Sequence, residues 1–224
     1  MTVSPVGVLN QIKALTADLI SLSICNRQMF PSIVNQSDGI IDITISNVAA
    51  LSVTLKNIPY SDIYKELDAT SAYNIKMMDG ALIQMMYRFK DADLISHRLA
   101  FFPCPDLSEY QNSPEIYELD CLYAEVISRN IMSVPVRFDF DKNRAEEIHH
   151  PSSHLTLGQY ANCRIPVGAP VTPFVFMDFI LRSFYNTAHR RLCANLTKFD
   201  ERFPSSIVTS ELNVLHVMPG NSQQ

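Results

Sequence analysis

Glycine is scarce in this chain, with six residues against thirteen prolines. No G-x-G-x-x-G or Walker-type run occurs, so the glycine-rich loops that cradle a nucleotide's phosphates have no counterpart here. Cysteine is sparse and scattered. Cys25, Cys104, Cys121, Cys163 and Cys193 are odd in number and contain no C-x-x-C pair. A zinc ribbon or thioredoxin-type site therefore has no support, and reduced thiols in cytosol are the natural expectation. Also missing is any apolar run of the roughly 20 residues needed to span a bilayer, so no membrane partner is expected. The opening MTVSPVGVLNQIKALTADLI has no basic region ahead of its apolar part, which argues against a secretory signal.

What is present is the balance of a folded chain. Hydrophobic residues make up 47% of the sequence and charged residues 18%. A length of 224 residues suits a single domain over 1–224 with a substantial core. The net charge of −5 is uneven. Residues 1–136 carry nine Lys/Arg against fifteen Asp/Glu, and residues 137–224 carry nine against eight. An acidic first part does not attract phosphates by itself. Contact with DNA or RNA should fall to the second part, or a partner should supply the affinity.

Local patterns predict an α+β domain, a mostly antiparallel sheet with an N-terminal helix and a long C-terminal helix. Ser4-Pro5 supplies a cap and a first-turn proline, and Leu9, Ile12, Leu15, Thr16, Leu19, Ile20 and Ser23 recur at helical spacing within 1–30. The sheet region spans 38–167. GIIDITISN alternates as a strand, LSVTLKN is a weaker one, and PYSDIYKELDAT reads as a short helix. In YNIKMMDGALIQMMYRFK, Asp79-Gly80 predicts a hairpin with a type I′ turn. LISHRLAFFPCP is a strand stopped by Pro103 and Pro105. Residues 106–114 read as a loop, and 115–130 lean towards helix. SVPVRFDFD, HLTLGQY and CRIPV complete the sheet. Thr172-Pro173 opens the last helix, expected over 172–200, with Phe176, Ile180, Phe184, Ala188 and Leu192 as its apolar stripe. Asp178, Arg182, Tyr185 and His189 fall on a different face of it. The tail over 219–224 reads as disordered.

The chemistry-bearing stretch is RFDFDKNRAEEIHHPSSHLTLGQYANCRIPV, residues 137–167, which holds three of the six histidines within its first eighteen positions. On a strand, Arg137, Asp139 and Asp141 share one face, opposite Val136, Phe138 and Phe140. Buried without partners they would be costly, so they should face solvent or a polar cleft. Pro151 and two serines separate His150 from His154 and favour a turn over the H-E-x-x-H zinc helix. Three outcomes remain open. One is a charged strand edge followed by a polar turn. Another is a metal-independent acid–base site, with His150 or His154 moving a proton and Arg137 stabilising phosphate charge. The third is a nuclease site in which Asp139 and Asp141 hold a divalent metal, with a histidine as added ligand.

Arg164, Arg182, Arg190 and Arg191 are the candidate nucleic-acid contacts, although Arg190 and Arg191 also suit a helix C-terminus through its dipole. His97-Arg98 is expected to meet the acidic strand. Met77, Met78, Met85 and Met86 read as core or as a soft partner-binding face.

The segments DGALIQMMYRF, LISHRLAFFPCP, VRFDFD, HPSSHLTLG and CRIPVGAPVTPFVFMDFILRSFY resemble the bacterial family known as domain of unknown function 2290. The resemblance covers most of the chain, and HP-x-x-H-L with the following RIPV and FIL-x-x-FY is its most specific part. It implies a bacterial cytoplasmic protein. Some members of that family occur beside a helicase in two-component antiphage defence systems, so a helicase partner is expected. The resemblance implies no catalytic residue. A shorter likeness, an Arg-aromatic-Asp strand followed by HP and a second histidine, is similar to a motif in small toxins of toxin–antitoxin pairs. Thr156 stands where that motif would place a further histidine. The expectation is therefore a defence-system subunit acting with a helicase on phage nucleic acid, as a nuclease or toxin-like effector. The alternative is a non-catalytic adaptor that docks on the helicase. Homo-oligomerisation is left open by the sequence.

Overall fold

The computed structural model describes residues 3–45, 57–106, 134–160 and 162–220. The predicted strand at LSVTLKN, the stretch 115–130 and the end of the tail lie outside them, apart from Asn57 of the first.

Helix α1 spans Pro5–Ser21, and the Ser4 hydroxyl accepts a hydrogen bond from the Gly7 N–H at 3.0 Å. Such a cap stabilises a helix by about 1 kcal/mol. Among the described residues nine strands follow: β1 (Cys25–Gln28), β2 (Ser32–Asn35), β3 (Ile40–Thr44), β4 (Ile75–Met77), β5 (Leu82–Lys90), β6 (Asp93–Phe102), β7 (Val136–Asp141), β8 (Ser153–Leu157) and β9 (Ile165–Pro166). All the strand pairs are antiparallel, as the sequence patterns predict. Helix α2 spans Tyr60–Ala69.

β5 is the central strand. β6 pairs with it along its whole length, from Leu82↔Phe102 to Lys90↔Asp93. Its other edge is shared: β4 pairs near its start and β3 near its end, with β1 and β2 beyond them. From β6 the order continues β7, β8, β9.

Alternation sorts the side chains onto two faces. Met85, Leu99, Phe101, Val136, Phe138 and Leu155 join the core beneath α1 and the C-terminal helices. Burying such side chains contributes about 1.5–3 kcal/mol each. One end of the opposite face is covered, where Ile63, Tyr64 and Leu67 of α2 pack with Leu82, Ala100 and Phe102. Among the described residues no other helix joins that cluster, and beyond it the face carries the polar residues of β7.

Two expectations need correction. The first is the long C-terminal helix. The apolar period is unbroken through Leu192, yet the chain forms α3 (Pro173–Phe184), α4 (Asn186–Leu192) and a short 3₁₀ turn at Cys193–Asn195. Tyr185 leaves helical geometry at φ −133°, ψ 48°. Its hydroxyl bonds both carboxylate oxygens of buried Asp79, at 3.0 and 2.9 Å, so the ring is drawn into the core rather than left on a helix face with Arg182 and His189. The second concerns the β4–β5 turn. Met77 N–H donates to the Ala81 carbonyl and Gly80 N–H to the Met77 carbonyl, so the loop has three residues, Met78-Asp79-Gly80. Gly80 alone takes positive φ, at 89°. This is the type I turn with a left-handed third residue that three-residue hairpins favour, not type I′.

Candidate functional site

The open face forms a hollow of about 1130 Å³. Strand register fixes which side chains meet in it, because partners across an antiparallel ladder point to the same face. One row runs Met86↔Arg98↔Asp139↔His154 across β5 to β8, and the next runs Ala100↔Arg137↔Thr156. Arg137, Asp139, Asp141, His150, His154 and Arg164 all border the hollow. Arg137 and His154 are thus on one side of the sheet.

Asp139 is engaged. Arg98 Nε donates to its Oδ1 at 3.1 Å. Asp141 accepts from the Asn143 N–H at 3.0 Å and lies 3.7 Å from Arg144 Nε. At the far end Arg88 grips Asp42 with two hydrogen bonds of 2.6 and 2.9 Å. Arg137 differs from these. It is half-buried and makes no hydrogen bond or ion pair among the described residues. Burial, followed by repulsion from Arg98 and Arg164, pulls its pKa below the ordinary value, with Asp139 partly offsetting this. A guanidinium remains protonated under such a shift. An anion entering the hollow would relieve both strains.

His154 is 5% exposed. Its Nδ1 lies 2.9 Å from the Pro151 carbonyl oxygen. A carbonyl can only accept, so Nδ1 carries the proton and Nε2 carries the lone pair. Nε2 has no hydrogen bond among the described residues. Burial lowers the His154 pKa first. The Pro151 carbonyl and Asp139 raise it, while His150 and Arg164 lower it further. The ring is therefore neutral at pH 7, with a lone pair available to accept a proton. The Pro151 turn that supplies this orienting carbonyl follows a loop closed by reciprocal bonds between Glu146 and His150, at 2.8 and 2.7 Å. The ring of His150 stands 4.9 Å from that of His154, edge to face.

Asp139 and Asp141 do face the hollow as a metal site would require. Among the described residues, however, no three His, Cys, Asp or Glu side chains gather as a ligand set. The two carboxylates are instead held by Arg98, Arg144 and a backbone N–H.

The nucleic-acid candidates separate. Arg164 is at the hollow, donating to the His149 carbonyl at 3.3 Å. Arg182, Arg190 and Arg191 sit on α3 and α4, against the opposite face of the sheet, with Arg182 beside Asp178 at 3.6 Å. His97 also leaves the site. It faces the core, where Nε2 accepts the Val171 N–H at 3.0 Å, and burial lowers its pKa to about 4. Met77 and Met85 are core side chains.

Sequence patterns did not single out Arg88, Asp42, Arg144 or Tyr160, all of which border the hollow. The alternation of β3 and β5 places Asp42 and Arg88 on one face, and an aromatic just after Gly158 is the only local signal for Tyr160. Described side chains around the hollow comprise five arginines (88, 98, 137, 144 and 164) against three aspartates (42, 139 and 141). A chain of net charge −5 thus gathers an excess of positive charge among the described residues at this hollow.

Among the described residues no helix is long and apolar enough to cross a membrane. No curated protein and no solved structure shows a significant match to the chain. One family model does, over residues 24–218, from β1's threshold through the segment beyond β9 and including every residue that borders the hollow. The chain belongs to the family described as "Uncharacterized conserved protein (DUF2290)".

Proposed function

We propose that this chain is the nucleic-acid-acting subunit of a bacterial antiphage defence system that works beside a helicase, and that its hollow holds a phosphodiester and moves a proton on it. The observation that carries the chemistry is the pairing of a guanidinium with no partner among the described residues, Arg137, with a neutral imidazole of fixed tautomer, His154, on one concave face. Arg137 meets a non-bridging phosphate oxygen and neutralises the charge that builds there. His154 Nε2 takes the proton of the attacking hydroxyl as its oxygen bonds to phosphorus. The bond from phosphorus to the leaving oxygen breaks, and that oxygen receives the proton from His154. Asp139, held by Arg98, keeps a negative charge beside the imidazolium while it exists. No step is routed through a metal. The defence setting and the helicase rest on the family resemblance, and a partner would add affinity for the polymer to what the hollow itself supplies.

His154→Ala should abolish protection in a plaque assay while the complex with the helicase still assembles. Full protection by that variant removes His154 from the mechanism.

A second reading, the non-catalytic adaptor, is favoured by one observation. Near the C-terminal end Leu215 is 84% and Met218 58% exposed, with Leu212 and Val214 also at the surface. Exposed apolar patches of this kind mark protein contacts. Cleavage assays with and without magnesium, manganese and the helicase separate the two. Uniform lack of cleavage together with an altered helicase ATPase rate favours the adaptor.

A further inference from the structure

The hollow has a feature that proton transfer does not use. Tyr160 is 77% exposed, yet its ring borders the same cavity as Arg137 and His154. The ring is not loose. It lies back against Gly158, with Cδ2 and Cε2 at 3.5 and 3.7 Å from where a β-carbon on that glycine would stand. Gly158 takes φ +64° and donates its N–H to the Pro135 carbonyl at 2.7 Å, so the strand pairing is kept at this position. Next to it Gln159 donates to the Ile58 carbonyl at 2.9 Å, tying the loop to the segment before α2. An exposed tyrosine ring beside the Gly158 backbone offers its outer face as a stacking surface.

Its place along β8 specifies what would stack. His154 and Thr156 follow one another on one face of β8, Arg137 stands opposite Thr156, and Gly158 begins the turn after the strand. The Tyr160 ring, just past the end of β8, and the Arg137 guanidinium thus border one hollow from neighbouring strands. An aromatic ring and a guanidinium on one hollow suit the base and the phosphate of a nucleotide. The bases of a duplex have their faces occupied by neighbours, so an aromatic platform beside a cation serves only unstacked bases.

We infer that the hollow receives a single-stranded nucleic acid, with one base resting on Tyr160 while its phosphate meets Arg137. The inference rests on the proposal that the hollow binds phosphodiesters, and it adds the strandedness of the polymer and the residue that selects it.

The test is equilibrium binding of the full chain at low salt to labelled oligouridylate, oligodeoxythymidylate and a duplex of similar length. Single strands should bind in preference to duplex. Tyr160→Ala should weaken them about ten-fold, the loss typical of one base–aromatic stack. Tyr160→Phe should retain affinity, since stacking needs the ring and not the hydroxyl. A fluorescent adenine analogue in the strand should be quenched by the wild type and the Phe variant but not by the Ala variant. The more tightly bound of the two single strands identifies the polymer. Duplex bound as tightly as single strand, or an unchanged Tyr160→Ala, overturns the inference, and the phosphodiester proposal then stands if Arg137→Ala still weakens binding. Failure of the chain to bind any of the three probes overturns both.

Discussion

The imidazole rings of His150 and His154 meet edge to face with their centroids 4.9 Å apart, and the carboxylate of Asp139 stands across the β7–β8 ladder from His154. Two charges therefore act on the His154 proton in opposite directions. Protonation of His150 disfavours a charge on His154, whereas Asp139 favours it. His150→Phe should raise the pKa of His154, and Asp139→Asn should lower it further. Imidazole proton NMR during a pH titration measures both shifts. If cleavage depends on neutral His154, the acid limb of its pH profile should move with each variant in the same direction. Movement in opposite directions would separate His154 from the proton transfer.

Tyr185 and Asp79 give a prediction about stability. Burial raises the Asp79 pKa to about 6, and the Tyr185 hydroxyl and the Ala81 N–H restrain the rise. A carboxyl whose folded pKa lies above its unfolded value of 3.8 favours the folded state at low pH and loses that contribution as pH rises through about 6. The contribution is on the order of 3 kcal/mol between those limits. His97 has the opposite sign. Its folded pKa near 4 lies below 6.5, so its contribution is lost as pH falls from about 6.5 towards 4. The two partly cancel in the wild type. Asp79→Asn removes one of them, so its stability relative to wild type should improve as pH rises from 4 to 7 in urea denaturation. A difference independent of pH would contradict the assignment.

Tyr185→Phe should destabilise the chain at pH 7 by about 1–3 kcal/mol, the cost of leaving a buried acceptor short of a donor. It should also lengthen α3 into α4, read as a gain in helical circular dichroism, because the hydroxyl no longer draws residue 185 inward. Unchanged stability would remove the Tyr185–Asp79 bond as the cause of the break.

Gly80 and Gly158 both hold positive φ, but their surroundings differ. A β-carbon on Gly80 would stand 3.2 Å from Cys104 Cβ and 3.3 Å from Tyr64 Oη, tighter than ordinary contact. One on Gly158 would meet only van der Waals neighbours at 3.5 Å and beyond. Gly158→Ala should therefore cost about 1–2 kcal/mol, from backbone conformation alone. Gly80→Ala should cost more, and thermal melts of the two variants rank them.

Local signals in the sequence carried as far as local physics decides the outcome. The V-R-F-D-F-D alternation placed Arg137, Asp139 and Asp141 on one face of β7, and Ser4-Pro5 marked the start of α1. The break at Tyr185 was not legible, because the helical period is satisfied through it. The break coincides with a hydrogen bond from Tyr185 to a residue 106 positions earlier, a partner that no local pattern reveals. Likewise the arginines of α3 and α4 read as phosphate contacts from charge alone, and only the side of the sheet on which the helices pack separates them from the hollow. Asp42, Arg88 and Tyr160 reach the hollow from β3, β5 and the turn after β8, and the β3–β5 register rather than sequence proximity joins the first two.

The central claim is that the open sheet face, not the helical face, engages the phosphodiester backbone. Oligonucleotide affinity measured over a range of salt concentrations for Arg137→Ala and Arg164→Ala, set against Arg190→Ala and Arg191→Ala, tests it directly. The account predicts weaker binding and a salt slope reduced by about one for each groove variant, with the helix variants unchanged. Loss of affinity confined to the Arg190 and Arg191 variants would contradict it.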